Sequence, residues 1–234
     1  IAKCAKFKTD TTLLPHQKRL IAFMLSSNQR GIIVWHSVGS GKTISAIALS
    51  KCLANTAFGI NIIIATPVSV QKQFQMEVAK LLGKKQDLVT VISHSALAAN
   101  PNQVTRRTIL VIDEAHNFKN PENARTAAAL LAASRAFKII LLTATPMTNS
   151  PKELATLLAM ANGEVDPTPY INRIRPATSP NDYRDLLKCK ISYYTSPMDL
   201  HNFPTYTETY KTFRMSHDYY QEYLAIQNQE LPPD

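Results

Sequence analysis

Short runs of apolar residues alternate along the chain with longer segments in which apolar residues recur every three or four positions. The short runs have the length, and the richness in isoleucine, valine and leucine, of strands that are covered on both faces. They are Ile32–Val34, Ile60–Ala65, Leu88–Ile92, Thr108–Ile112 and Lys138–Leu142. Because helical patterns separate these runs, we predict an α/β fold with a mostly parallel sheet and helices on both of its faces.

Several helices can be placed from the same pattern. Pro15 suits a helix start, and the residues after it give that helix one apolar face. A second helix begins at Lys42, a third runs from Val70 to Leu82 and stops at Gly83, and another follows Ser150-Pro151. The apolar face of the first helix is predicted to comprise Leu20, Ile21, Met24 and Leu25.

The last third of the chain has weaker signals. Residues 162–182 are rich in Pro, Asn and Thr, so we predict an irregular insertion without a long helix. We predict a strand at Cys189–Tyr194 and a second one at Thr205–Met215, where polar and apolar residues alternate. Ser216 is then expected to cap a helix that extends through Ile226.

A turn of small residues follows the first apolar run and leads into the helix at Lys42. Gly39 and Gly41 allow the backbone N–H groups of this turn to point into one concavity, which suits a phosphate chain at a helix N-terminus. Lys42 adds a positive charge for the β and γ phosphates, and Thr43 adds a hydroxyl for Mg²⁺. The predicted phosphate-binding residues are Gly39, Ser40, Gly41, Lys42 and Thr43.

This pentad alone is also compatible with a strand, turn and helix whose glycines serve packing. Two later segments favour the phosphate-binding interpretation. Asp113 and Glu114 follow directly on a buried strand, at the edge where open α/β sheets bind ligands. Asp113 is placed to hold Mg²⁺ and Glu114 to polarise an attacking water. The run Lys138–Leu142 leads into Thr143-Ala144-Thr145-Pro146, which adds hydroxyl groups at the same edge.

Gln17 and two histidines are further candidates, each with a plainer alternative. The amide of Gln17 matches the N6/N7 edge of adenine, and the phosphate loop downstream favours that role over an ordinary surface glutamine. His94 stands at a strand end, where capping or packing is the simpler interpretation. His116 directly follows the Asp113-Glu114 pair, where it could relay between a nucleotide and a partner surface.

The composition bounds the class of protein. The chain has 234 residues, of which 45% are hydrophobic and 18% charged, as expected of one globular α/β domain. No apolar run is long enough for a membrane span. The formal charge of +9 favours a polyanionic partner, although a solvated surface gives the same charge. Three distant cysteines (4, 52 and 189) suggest reduced thiols in an intracellular, reducing compartment and no metal site.

The motifs resemble the first RecA-like lobe of superfamily 2 helicases and translocases. Within this superfamily they are most similar to the SWI/SNF-type branch. The versions of large DNA viruses, such as the poxvirus nucleoside triphosphatase I group, resemble the chain most. The resemblance runs from about Leu13 to Tyr223 and is strongest at Gly39–Thr43, Val111–Asn120 and Leu141–Asn149. Phe203-Pro204 also resembles the segment that leads to the second lobe in this family. The resemblance implies a RecA-like three-layer sandwich of the P-loop NTPase class.

It also implies roles, cofactors and partners. ATP and Mg²⁺ would be bound by the phosphate loop with Gln17 and Asp113, and hydrolysis would use Glu114. Residues that couple the nucleotide state to a nucleic acid would be His116, Thr143 and Thr145, and residues along the bound strand would be Thr66, Pro67 and Ser93.

The resemblance further divides the chain into a lead-in (1–12), one lobe (13–204) and a segment (205–234) that leads toward a second lobe. The chain begins at Ile rather than Met, so we expect a piece of a longer protein. Two departures stand out. His36 replaces the small residue that often opens the loop, and no second-lobe motif with arginine fingers is present. Because an arginine finger contributes several orders of magnitude, this lobe alone should be weakly active or inactive.

The expected function is that of a motor lobe in an ATP-dependent DNA translocase, with duplex DNA favoured over single strands or RNA as the track. The second lobe of the same full-length chain, and transcription or chromatin machinery, would be its protein partners. One alternative is a strand-separating DNA or RNA helicase. Another is an ATP-dependent clamp in a transcription complex, against which the intact Lys42, Asp113 and Glu114 argue. A small-molecule kinase is disfavoured by Asp113–His116 (DEAH) and Thr143–Pro146 (TATP), which kinases lack.

A viral origin would place the protein in the virion or in the host cytoplasm or nucleus.

Overall fold

A computed structural model of the chain describes residues 7, 11–147, 150, 152–174, 179–195 and 207–230. The chain forms two units, residues 1–196 and 197–234. The first holds a six-stranded sheet in the order β3-β2-β4-β5-β1-β6, in which every neighbouring pair is parallel. Its strands are β1 (Gly31–His36), β2 (Asn61–Thr66), β3 (Val89–Ser93), β4 (Thr108–Ile112), β5 (Lys138–Thr143) and β6 (Ile191–Tyr194).

The helices of the first unit separate the strands along the chain. They are α1 (Pro15–Ser26), α2 (Lys42–Ala54), α3 (Val68–Leu82), α4 (His94–Ala99), α5 (Ala124–Arg135), α6 (Glu153–Asn162), α7 (Thr168–Arg173) and α8 (Pro180–Leu187). Short 3-10 helices lie at Gly83–Leu88, Pro101–Gln103 and Ala115–Phe118. No helix within the described part of the chain is long and apolar enough to cross a membrane.

Alternate residues of the central strands enter two separate hydrophobic clusters, because successive side chains of a strand point to opposite faces. Ile32 and Val34 of β1 pack in one cluster with residues of α1, α2 and α3. Ile33 of the same strand packs in the other cluster with residues of α4, α5 and α6. The sheet is therefore the middle layer of three, and the predicted α/β class with helices on both faces of a parallel sheet is confirmed.

The start of β1 packs tightly against its surroundings. A Cβ added at Gly31 would collide with the Ala161 carbonyl oxygen and would lie 2.8 Å from Ile139 Cβ. The preceding residue, Arg30, donates to the carbonyl groups of Ser134 and of Ala136 (3.1 Å), where α5 ends. The guanidinium thus satisfies carbonyls that the helix end leaves unpaired.

Replacing Arg30 by Met should lower the free energy of unfolding by about 2–3 kcal/mol, because buried carbonyls would lose charge-assisted donors. Urea unfolding of both proteins measures the difference. Arg19→Met is the matched control, since Arg19 is exposed on α1; its change should stay within about 0.5 kcal/mol. Equal losses in the two variants would contradict a capping role for Arg30.

Three predictions about local structure are corrected. Residues 162–182 include two short helices, α7 and the first part of α8, because Pro169 and Pro180 occupy first-turn positions and so begin helices rather than break them. Residues 207–216 of the second unit are exposed and contain no strand, because a strand is stable only beside a neighbouring strand.

Cys52 is buried and disulfide-bonded, so the prediction of a reduced thiol is wrong for this residue. Spacing along the chain does not reveal which cysteines are neighbours in space.

Other local predictions are confirmed. Gly83 ends α3 with a positive φ of 55°, and β6 lies inside the predicted Cys189–Tyr194 strand. In the second unit, α9 (His217–Glu230) follows Ser216, whose Oγ accepts from Tyr219 N at 3.4 Å. The predicted elements at 205–206, Asn149, Pro151 and Phe203-Pro204 lie outside the described residues, as does Cys4.

Candidate nucleotide site

The parallel sheet brings most of the predicted site residues to one edge. Because all strands run in the same direction, their carboxyl ends lie together. The phosphate loop follows β1, Asp113 and Glu114 follow β4, and Thr143 ends β5. Thr66 and Ser93 end β2 and β3 on the same edge. Residues that are far apart in the sequence are therefore neighbours in the fold.

The loop between β1 and α2 has the backbone that phosphate binding needs. Gly39 and Gly41 have φ values of 78° and 77°, in the left-handed region that favours glycine. At Gly39 an added Cβ would meet nothing within 4 Å, so the backbone conformation alone requires glycine there. Gly41 is the N-cap of α2, and the first N–H groups of that helix have no partner within it. This backbone geometry suits an anion at the N-terminus of α2, as the sequence predicts.

The Lys42 ammonium lies over this loop. Its Nζ donates to the carbonyl oxygens of His36 and Ser37, at 3.1 Å and 3.2 Å. Since an ammonium carries three donors, phosphate oxygens can replace these carbonyls without a large movement of the side chain.

Asp113 is a desolvated carboxylate anchored from β2. Its Oδ2 accepts from the Thr66 hydroxyl at 3.1 Å, and its N–H donates to the Ala65 carbonyl at 2.8 Å. Burial raises the pKa of Asp113, the neighbouring Glu114 carboxylate raises it further, and the Thr66 hydrogen bond opposes both effects. Two adjacent carboxylates, one of them partly buried, form a site that a bound cation would stabilise.

Glu114 has an unusual backbone conformation. Its φ of 48° and ψ of 49° are left-handed, a conformation that costs a non-glycine residue about 1–2 kcal/mol. The Asn117 side chain and backbone N–H both donate to the Glu114 carbonyl, at 2.9 Å and 3.0 Å, and so hold the turn. This turn ends β4 abruptly and starts the 3-10 turn Ala115–Phe118.

His116 links Glu114 to the end of β5. Its Nδ1 lies 3.3 Å from Glu114 Oε2 and 3.2 Å from Thr143 Oγ1. The Thr143 hydroxyl in turn accepts from the Thr145 N–H at 3.1 Å. The three predicted coupling residues therefore form a chain of close polar contacts that starts at the Glu114 carboxylate, with His116 Nδ1 within 3.3 Å of both Glu114 Oε2 and Thr143 Oγ1.

A cleft of about 160 Å³ lies beside these groups. Lys42, Thr43, Asp113 and Glu114 line one part of it. Four residues of α3, which the sequence analysis did not single out as site residues, line the rest: Val70, Gln73, Phe74 and Glu77. Their helical spacing was visible in the sequence, but which helix faces the cleft depends on the tertiary fold.

The structure places Gln17 against the phosphate loop. Gln17 is only 2% exposed. Its Oε1 accepts from Leu14 N at 2.8 Å and its Nε2 donates to the Gly41 carbonyl at 3.2 Å. Both ends of the amide thus have backbone partners, and an adenine contact would have to replace them. The adenine role remains a prediction.

The residues predicted to contact nucleic acid have other partners. Thr66 is buried, and its hydroxyl serves Asp113. The Ser93 hydroxyl accepts from Ala96 N at 3.0 Å and caps α4. Pro67 is the N-cap residue of α3. These positions lie at the site edge, and their contact with a nucleic acid remains a prediction.

His94 fits its plainer interpretation. Its Nε2 lies 2.8 Å from the Asp113 carbonyl oxygen, and its ring packs edge-on against Phe118. Burial lowers the pKa of His94, so the neutral ring is favoured. Trp35 was not predicted to take part in the site; its Nε1 donates to the Ala144 carbonyl at 3.0 Å and so ties β1 to the turn after β5.

His36, the residue that departs from the glycine pattern, is fully buried below the loop. Its Nε2 lies 3.0 Å from Ser192 Oγ of β6. Burial, with smaller contributions from the charges of His16 and Lys42, lowers the pKa of His36 from 6.5 to about 4. The imidazole is therefore neutral at physiological pH.

This pKa predicts acid sensitivity. Between pH 6.5 and 4 the unfolded chain binds a proton at His36 and the folded chain does not, so stability falls as the pH drops through this window. The loss should reach about 2–3 kcal/mol near pH 4. Urea unfolding from pH 4 to 7 should show a flatter profile for His36→Gln than for the unmodified protein. Parallel profiles would contradict the assignment.

A comparison with protein families identifies the chain. The family ResIII, described as type III restriction enzyme, res subunit, matches residues 10–148. This range contains the phosphate loop, Asp113-Glu114 and the Thr143–Thr145 turn. The chain belongs to the ResIII family. Membership confirms the prediction of a superfamily 2 helicase-type ATPase lobe, and ATP is accordingly the nucleotide expected at this ResIII site.

Relatives of this ResIII chain occur in large DNA viruses. The Acanthamoeba polyphaga mimivirus protein L538, named as a proposed ATP-dependent RNA helicase, is 31% identical over 93% of this chain and 51% of its own length. The early transcription factor 70 kDa subunit of Monkeypox virus is 26% identical over 80% of this chain and 33% of its own. The chain thus spans about half or less of the relatives it matches.

A solved structure shares the fold. The SWI2/SNF2 ATPase core of Sulfolobus solfataricus, determined in complex with double-stranded DNA, matches 81% of this chain with a TM-score of 0.67 and 20% sequence identity. The match covers 46% of that core. The predicted likeness to viral and SWI/SNF-type members of superfamily 2 is confirmed at the level of relatives and fold.

Proposed function

We propose that this chain is the ATP-binding lobe of a motor that couples ATP hydrolysis to movement along a nucleic acid. The observation that carries the proposal is the chain of close polar contacts from the Glu114 carboxylate through His116 and Thr143 to the Thr145 N–H. A simple nucleotide binder has no need to connect a candidate base to an exposed turn outside the site.

Magnesium fits the carboxylate edge of the cleft. Asp113 is partly buried beside a second carboxylate, and Thr43 lines the same cleft. No group of three His, Cys, Asp or Glu side chains among the described residues is arranged to hold a metal ion. Mg²⁺ needs only one or two protein oxygens together with phosphate and water, which Asp113 and Thr43 can supply. We assign Thr43 and Asp113 to the metal, which would neutralise phosphate charge.

The other residues act on the triphosphate and on water. The N–H groups from Gly39 to Thr43 would bind phosphate oxygens, with Lys42 on the β and γ groups. Glu114 would accept a hydrogen bond from the attacking water and orient it toward the γ phosphate. Loss of that phosphate would change the surroundings of Glu114, and His116 would transmit the change to Thr143 and Thr145.

A second lobe of the same full-length protein would complete the site. The sequence of this chain has no motif that supplies an arginine finger, which stabilises charge in the transition state of phosphoryl transfer. The lobe alone should therefore hydrolyse ATP slowly or not at all. Closure of the cleft between two lobes would move the strand contacts, for which Thr66, Pro67 and Ser93 are the proposed positions.

Duplex DNA is the proposed track. The net charge of +9 suits a polyanion, and the neighbour of similar fold was solved with double-stranded DNA. The test is displacement of a third strand from a DNA triplex by the full-length protein with ATP. We expect displacement without separation of the duplex strands. Unwinding of a tailed duplex or of RNA, without triplex displacement, would instead establish a helicase.

A clamp in a transcription complex is the second candidate, because the poxvirus relatives are named as early transcription factor subunits. Transcription machinery is the proposed protein partner whether the protein is a motor or a clamp. The viral relatives suggest action in virions or infected cells. A clamp would work with ATP bound but not hydrolysed. Transcription that survives loss of ATP hydrolysis would favour the clamp over the motor.

Gln17 is proposed to recognise adenine, exchanging its present backbone partners for the base. Gln17→Ala should then reduce the preference for ATP over GTP by about tenfold, the value of one or two lost hydrogen bonds. Steady-state kcat/KM with both nucleotides measures the preference, and Gln86→Ala, at an exposed position after α3, serves as the control. An unmodified protein that used ATP and GTP equally would refute the contact.

A further inference from the structure

Two consecutive residues of α1 hold two consecutive carbonyl groups of the phosphate loop. His16 Nε2 lies 3.0 Å from the Ser40 carbonyl oxygen, and it must be the donor because a carbonyl only accepts. Gln17 Nε2 donates to the next carbonyl, that of Gly41. His16 is buried, being only 6% exposed, so its hydrogen bond is shielded from water.

The planarity of the peptide gives these bonds a directional effect. In a trans peptide the C=O of one residue and the N–H of the next point in opposite directions. Holding the Ser40 carbonyl toward α1 therefore turns the Gly41 N–H away from α1. The Gly41 carbonyl accepts from the backbone N–H and the hydroxyl of Ser45, both at 3.0 Å, as well as from Gln17, so the direction of the Lys42 N–H does not depend on Gln17 alone. The Gly41 and Lys42 N–H groups are two of those assigned to the phosphates.

The loop needs such a restraint at Ser40 in particular. Ser40 lies between Gly39 and Gly41, both with positive φ. Glycine populates many backbone conformations at little cost, so the peptide planes beside Ser40 can rotate easily. Fixing them before the ligand arrives removes an ordering cost from binding.

Tyr194 of the edge strand β6 holds His16 in place. Its ring stacks on the His16 ring with centroids 3.7 Å apart and planes 9° from parallel. The Tyr194 carbonyl also accepts from the N–H of Ser37, the first loop residue, at 2.9 Å. Tyr194 thus contacts both the restraining imidazole and the loop itself, although it lies beyond the residues 10–148 that the family match covers.

We propose that His16 and Tyr194 form a positioning pair that orients the Ser40–Gly41 peptide for polyphosphate binding, whichever base the nucleotide carries. The pair rests on the proposed function, since it acts on the same nucleotide site. It makes β6 a part of that site. Neither residue touches the nucleotide in this role, so both are positioning residues.

The test measures affinity for the phosphate chain separately from affinity for the base. Dissociation constants of ATP, GTP and inorganic tripolyphosphate with Mg²⁺ are measured calorimetrically for the full-length protein. His16→Phe keeps the stacked ring but loses the donor, and should weaken all three ligands by about five- to tenfold. Tyr194→Leu should weaken them similarly, whereas Tyr194→Phe keeps the ring and should stay within about twofold.

The outcomes are distinct. Unchanged affinities in a folded His16→Phe protein would overturn the proposal, and so would a loss confined to ATP, which would indicate base recognition. Melting temperatures show whether each variant is folded. If His16→Phe is unfolded, the two Tyr194 variants decide. Equal affinities of Tyr194→Leu and Tyr194→Phe for the three ligands would then overturn the proposal. Failure of the motor function looks different: all variants would show the expected affinities, but no nucleic acid would stimulate hydrolysis.

Discussion

Lys42→Ala should abolish ATP hydrolysis by the full-length protein, with a loss of at least about a hundredfold in kcat. Lys42 lies at the N-terminus of α2, and its Nζ is within hydrogen-bonding distance of two loop carbonyls. Among the residues that line the described cleft it is the one cation. Without it, the charge that develops on the β and γ phosphates in the transition state would lack its fixed protein counter-charge.

The rate is measured by phosphate release at saturating ATP and nucleic acid. Lys18→Ala is a suitable control, because Lys18 is exposed on α1 and its removal changes the net charge equally. The control should keep full turnover. Full turnover in Lys42→Ala would remove the basis for a P-loop ATPase at this site.

Glu114→Gln should separate binding from hydrolysis. Glutamine has nearly the shape of glutamate and keeps an acceptor, but it cannot accept a proton from water. We expect kcat to fall by about 10²–10⁴ while the dissociation constant of ATP stays within about threefold. Equilibrium binding of a fluorescent ATP analogue and single-turnover hydrolysis measure the two quantities.

Glu122→Gln provides the matched control, since Glu122 is exposed in the loop that follows the same 3-10 turn. It should leave both quantities unchanged. If Glu114→Gln lost ATP binding together with hydrolysis, Glu114 would not be acting simply as the catalytic base. That result would instead indicate that its side chain maintains the Glu114 turn, whose left-handed backbone is strained.

The core of the fold could be predicted from the sequence because its signals are local. In β4 and β5, unbroken apolar runs indicated strands buried on both faces, and helical patterns between the strands indicated parallel pairing. The phosphate loop was equally local: glycines at two positive φ positions, a lysine and a threonine stand within five residues.

Failures occurred where the outcome depended on residues elsewhere in the chain. The alternation at 207–215 resembles a strand, but these residues are exposed and have no strand partner among the described residues. The prolines of 162–182 were interpreted as excluding a long helix, which agrees with the described residues, but Pro169 and Pro180 lie in the first turns of two short helices that were not predicted. Composition alone does not distinguish a proline that starts a helix from one that excludes it.

In the candidate site, too, features set by local sequence could be predicted and contacts between distant elements could not. Lys42, Thr43, Asp113 and Glu114 were predicted, and the structure places all four on one cleft. Several contacts around the site were not predicted, because their partners come from distant elements. His36 contacts Ser192 in β6, and Trp35 donates to Ala144 after β5. Such contacts follow from the order of strands in the sheet, which no local pattern encodes.

The central claim is that ATP hydrolysis at this site depends on a nucleic acid. The most direct measurement is the ATPase rate of the full-length protein alone and with duplex DNA, single-stranded DNA or RNA, with Lys42→Ala as the blank. The account predicts strong stimulation by duplex DNA. A rate that none of these polymers changes, in a protein that still binds ATP, would contradict it.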